Sequence, residues 1–124
     1  MVGEIRGREK PEEVLVVGGH LDSWDPGTGA IDDGAGIAIS TAAARLAASG
    51  AQHPRRTIRV VAWMNEENGL KGGAGYAEAH VAEIPQHMGA IDQGRADIGG
   101  RRQLRHGRHE LGLRHVLPDG FLHV

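Results

Sequence analysis

One histidine and five carboxylates, His20, Asp22, Asp32, Asp33, Glu66 and Glu67, stand in three short stretches of this 124-residue chain: GGHLDSWD, GAIDDGAG and NEENGLKG. Zinc takes nitrogen from His and oxygen from Asp and Glu, and a catalytic site leaves one position open for water. In a two-metal centre the ions lie about 3.5–4 Å apart, so one carboxylate can bridge both. Asp32 suits that bridging place. Asp22, two residues after His20, is placed to hold the imidazole through its second nitrogen. The adjacent Glu66 and Glu67 offer one carboxylate to a metal and one to an attacking water, whose proton a general base takes and returns to a leaving amine.

Those residues must be carried by elements that meet. Val14-Leu15-Val16-Val17 reads as a buried strand, which puts His20 and Asp22 just past its carboxyl end. Ser23 to Ala30 is a loop broken by Pro26, Gly27 and Gly29, and Asp32 or Asp33 is a good N-cap for the next segment. Ala-rich composition from Ala35 to Ser49, with Ile39, Ala43 and Leu46 at helical spacing, predicts a helix stopped by Gly50. Its small residues would let it pack closely on a sheet. Thr57 to Met64 predicts a second strand, with Glu66 and Glu67 directly after it. Leu70 to His80 is a glycine-weakened helix, and His87 to Ile91 a short third strand.

Strand and helix alternating in this order predict an α/β fold, a mainly parallel sheet flanked by helices, with a right-handed crossover between its first two strands. That arrangement brings His20, Asp22, Asp32, Glu66 and Glu67 to one rim, where open α/β sheets place their ligand sites. Met1 to Arg6 reads as the end of a further strand, followed by a charged turn from Gly7 to Glu13. Trp63 and Met64 are expected in sheet packing, and Trp24 and Asp25 on the substrate side of the cleft or as a loop anchor.

Composition narrows the function classes. Four aromatics leave the core to Val, Ile, Leu and Ala, and 20 glycines are about twice the usual share. There is no cysteine, hence no disulfide framework and no thiolate zinc site. No apolar run is long enough to span a membrane, and no amino-terminal stretch resembles a signal peptide. Through Asp92 eight Lys/Arg face thirteen Asp/Glu; from Gln93 onward there are six Arg, three acids and four of the eight histidines. This break divides the chain into 1–92 and an Arg/Gly/His-rich tail, 93–124, expected to be disordered or translated out of frame. The phosphate-loop patterns GxGxxG and GxxxxGK[ST] are absent, and His109-Glu110 lacks the second His of HExxH, with Leu113 in its place. No aromatic interleaving supports nucleic-acid binding by the tail.

From Val2 to about Ile91 the sequence resembles the zinc aminopeptidase family that includes bacterial leucyl aminopeptidases, aminopeptidase S and the plasma glutamate carboxypeptidases. GHLDSWD followed by GAIDDGAG is most similar to the carboxypeptidase Q-like branch. The resemblance implies an exopeptidase with two zinc ions, cleaving peptides or dipeptides near a free terminus, in a family often secreted or periplasmic. It assigns His20 to one zinc, Asp22 to orienting it, Asp32 to the bridge, Glu66 to general base and Glu67 to the second zinc. It also implies a cis Asp32–Asp33 peptide. The next family motif is Glu-x-Asp, and Gly89-Ala90-Ile91-Asp92 offers only Asp92 as that ligand. The last family ligand is a distal His, and His106, His109, His115 and His123 lack its context. The chain thus resembles a truncated or frameshifted piece of such a domain, and a non-catalytic remnant is the alternative reading.

Overall fold

A computed structural model describes residues 1–92. The elements in chain order are β1 (Val2–Ile5), β2 (Lys10–His20), α1 (Ala35–Ser49), β3 (Arg56–Trp63), α2 (Lys71–Ala79) and β4 (His87–Asp92). A kinked turn over Ala30–Gly34 leads into α1, and a single 3₁₀ turn, Ile84–Gln86, leads into β4. The strands form one sheet in the order β1-β3-β2-β4. β2 runs parallel to β3 and to β4, while β1 pairs antiparallel with β3 along one edge. The sheet is therefore mixed, with its parallel part carrying the expected β–α–β order.

Successive strand residues face opposite sides. Val14 and Val16 of β2 and Val61 and Trp63 of β3 turn to one face and bury against Tyr76 of α2. Trp63 and Tyr76 meet edge to face at 5.3 Å between ring centres, a favoured aromatic geometry. The opposite face takes α1, which packs on β2 and β3. Leu15 and Val17 of β2, with Ile58, Val60 and Ala62 of β3, stay half-buried beneath it.

The stripe that identifies α1 in the sequence is not the one that packs. Gly36, Ser40 and Ala44 face the sheet, and the Ser40 hydroxyl donates to the Gly18 carbonyl at 2.9 Å. Ile39 and Leu46 point outward, 55% and 75% exposed. Small residues win the inner face because the helix axis can then approach the sheet closely. Three further expectations shift. Lys10 to Glu13 belong to β2 rather than to a charged turn. Met64 is exposed, since β3 ends at Trp63. Leu70 is the left-handed residue that precedes α2, not its first turn.

Behind the sheet lies a buried polar relay. Arg59 of β3 donates to the Tyr76 hydroxyl at 2.7 Å and pairs with Glu4 at 2.5 Å and Glu83 at 2.9 Å. The Tyr76 hydroxyl contacts His87 Nε2 at 2.7 Å, and His87 Nδ1 contacts the Glu83 carbonyl at 2.9 Å. A carbonyl only accepts, so Nδ1 carries the proton and Nε2 accepts from the tyrosine. The relay ties β1, β3, α2 and β4 together. Among the described residues no helix is long and apolar enough to cross a membrane.

Candidate metal centre

β2 ends at His20, and the register places His20 opposite Trp63, so both strands stop at the same rim. Beyond Trp63 the chain turns through Asn65, whose φ of 61° lies in the left-handed region that asparagine tolerates. That turn aims the Glu66 and Glu67 main-chain N–H groups at Asp22. They donate to its carboxylate at 3.1 and 3.2 Å. Asp22 therefore clamps the end of β3 to the end of β2.

The imidazole of His20 is 1% exposed. Its Nδ1 donates to the main-chain carbonyl of Asp22 at 2.8 Å, while the Asp22 carboxylate stands 3.9 Å away. Residue 22 meets the ring through its backbone carbonyl rather than its carboxylate. The side chain has been taken by the Glu66 and Glu67 amides. With Nδ1–H committed, a neutral imidazole presents a lone pair at Nε2. That nitrogen faces Asp32 Oδ1 at 3.1 Å and Glu66 Oε2 at 3.8 Å. Three electron-pair donors converging this closely need a cation between them, a proton or a metal ion. Burial presses His20 toward neutrality, but the Asp22 carbonyl, Glu66, Asp32 and Asp33 outweigh it and hold its pKa above the ordinary value.

Ligand atoms of His20, Glu66 and Glu67 all lie within 4.8 Å of one another. One imidazole nitrogen with carboxylate oxygens is a donor set suited to zinc. The residues present thus fit a zinc ion at this rim. Asp32 joins the group through its contact with His20, and its peptide bond to Asp33 is cis.

Asp33, expected only as a cap, lies deeper than any ligand candidate except His20. It is 1% exposed. Its Oδ1 accepts from the Gly36 N–H at 3.0 Å, the cap-like bond, and its Oδ2 accepts from the His20 N–H at 2.9 Å. Burial raises the Asp33 pKa, and those two amides and the imidazole pull it back in part. The only sequence signal for this role is the pair of glycines at 19 and 36. A Cβ at either would run into the Asp33 carboxylate.

Asp92 is not gathered in. It closes β4 opposite Gly18, two residues short of His20 along β2, and on the neighbouring strand. It stands outside the His20, Glu66 and Glu67 group. His106, His109, His115 and His123 lie outside the described residues, as does the 93–124 tail. Trp24 is 59% exposed in the loop between the His20 and Asp32 stretches.

A βαβ sheet with His and carboxylates at the carboxyl rim of its parallel strands makes the chain an α/β domain with a candidate metal centre. Residues 1–94 match peptidase family M28, and the chain belongs to that family. It is 49% identical to carboxypeptidase Q of Rattus norvegicus over 86 residues, covering 69% of this chain and 18% of that protein. Against carboxypeptidase Q of Bos taurus it is 48% identical over 98 residues, 79% of this chain and 20% of the other. The solved peptidase M28 precursor of Shewanella amazonensis SB2B superposes with a TM-score of 0.70 at 54% identity, covering 72% of this chain and 20% of that one. BSAP, a zinc aminopeptidase from Bacillus subtilis, gives 0.66 at 25% identity, covering 73% and 22%. The chain thus spans about a fifth of the length of the proteins it matches.

Proposed function

We propose that this chain carries the His20 half of a zinc exopeptidase centre that hydrolyses peptide bonds near a free terminus, of aminopeptidase or dipeptidase type. The observation that carries this reading is the convergence of His20 Nε2, Asp32 Oδ1 and Glu66 Oε2, with Glu67 in the same group. His20, Asp32 and Glu67 would hold zinc, and Asp92, which stands outside that group here, is the further ligand this reading would need in the complete domain. When bound, zinc supplies Lewis acidity to the scissile carbonyl and to the attacking water. Glu66 takes that water's proton on its carboxylate and delivers it to the leaving amine nitrogen. Asp22 holds Glu66 and Glu67 in place through their amides. The burial of His20 and its Nδ1–H bond to the Asp22 carbonyl hold Nε2 toward the site.

A second reading has a specific observation behind it: Asp92 stands outside the His20, Glu66 and Glu67 group. On that reading the chain binds zinc weakly and turns nothing over. Purified protein with added zinc, offered an aminoacyl anilide and a free dipeptide, separates the two. Turnover abolished in Glu66→Gln, with zinc still bound, supports the peptidase. Zinc binding without turnover in the wild type supports the remnant, and absence of both overturns the metal reading.

A further inference from the structure

We propose that Asp33 is the positioning residue of this centre: its buried carboxylate, gripped by the His20 and Gly36 amides, sets the separation between the His20 imidazole and the Asp32 carboxylate. The inference rests on the zinc reading of His20 and Asp32 and extends it to a residue that contacts neither metal nor substrate.

Three observations carry it. First, a carboxylate with 1% exposure is costly to bury, and a helix cap alone does not need one, since serine or asparagine caps as well. Second, its two oxygens serve two different elements, the last residue of β2 at 2.9 Å and the first turn of α1 at 3.0 Å. Third, Gly19 and Gly36 both lack the Cβ that would strike it, so the carboxylate is wedged in one place. Asp33 is covalently next to Asp32, and Asp32 Oδ1 meets His20 Nε2 at 3.1 Å. The path from the His20 amide through Asp33 to Asp32 and back to the His20 ring is therefore closed. Moving the Asp33 carboxylate changes the gap that a metal must fit.

A cap and a positioning group respond differently to substitution. Asp33→Ser keeps a short acceptor for the Gly36 N–H but cannot reach His20. Asp33→Asn keeps the shape and puts an NH₂ donor against one of the two amides. Ser40→Ala is the control, because it cuts an α1–β2 bond on the same helix away from the ligands. Zinc dissociation constants would be measured by competition with a chelator, alongside melting temperatures. The expected result is zinc binding weakened by about 10- to 100-fold in Asp33→Ser and Asp33→Asn. Ser40→Ala should stay within about twofold of wild type at a comparable melting temperature. Wild-type affinity in a folded Asp33→Ser, or equal weakening in Ser40→Ala, overturns the proposal. The metal-free protein gives an independent readout, the ¹⁵N shift of the His20 ring nitrogens. That shift should move in the Asp33 variants and not in Ser40→Ala; an unmoved shift also overturns it. If the wild type binds no zinc, the ring shift still decides the role of Asp33, while the metal reading fails separately.

Discussion

Asp22 lies beside His20 as its spacing suggests, and its backbone and its carboxylate serve different partners. Its spacing from His20 marks it as the partner of the imidazole, yet the main-chain carbonyl makes that bond and the carboxylate holds two amides of the next strand end. Spacing along a chain fixes which residue is near, not which of its oxygens points inward. Asp22→Asn keeps one acceptor and turns a donor toward the other amide. It should cost about 1–3 kcal/mol of stability, read by urea unfolding, and weaken zinc binding by roughly tenfold. A carboxylate that merely decorated the surface would give neither loss. That His20, Asp32, Glu66 and Glu67 would meet was legible because each sits at a strand or helix end within a short motif. Asp33 was legible only as a cap, because its second bond spans elements that sequence spacing does not relate.

At the scale of the elements, α1 was placed to the residue, but its packing face was not, since apolar periodicity and small-residue periodicity compete on the same helix. Leu46→Lys is expected to leave stability within about 0.5 kcal/mol, because Leu46 faces outward. Gly36→Ala should cost about 1–3 kcal/mol, because the added methyl meets the Asp33 carboxylate. Denaturation midpoints of the two variants check both. The Arg59–Tyr76–His87 relay, invisible in the sequence, gives a pH dependence. His87 faces Tyr76, Arg59, Glu83 and His80, and Glu4 closes the far side of Arg59. Burial lowers the His87 pKa below its ordinary value of about 6.5. The unfolded chain therefore takes up a proton as pH falls through about 6.5 while the folded chain does not, and stability declines until the lowered folded pKa is reached. His20, with its pKa raised, has the opposite sign. Its contribution is complete below about 6.5 and is lost above it, as pH rises through the raised folded pKa. Melting temperature should thus fall from about pH 6.5 toward pH 5, and His87→Leu should flatten that slope. A slope unchanged in the variant would remove His87 from the account.

For the whole molecule, the mainly parallel sheet, its rim and its family were readable from three motifs in order, and the antiparallel pairing of β1 and the register that sets Asp92 opposite Gly18 were not. Edge pairing depends on which strand lies free in space, and the level of Asp92 depends on the β2–β4 register, neither of which leaves a local signature. The central claim is that the rim residues hold zinc, with His20 at their centre. Zinc titration of the chelator-stripped chain, wild type beside His20→Ala, tests it most directly, because the histidines of 93–124 contribute the same background to both. The account predicts a high-affinity zinc in the wild type that His20→Ala weakens by at least about 100-fold. Equal zinc binding by the two proteins, or none by the wild type, would contradict it.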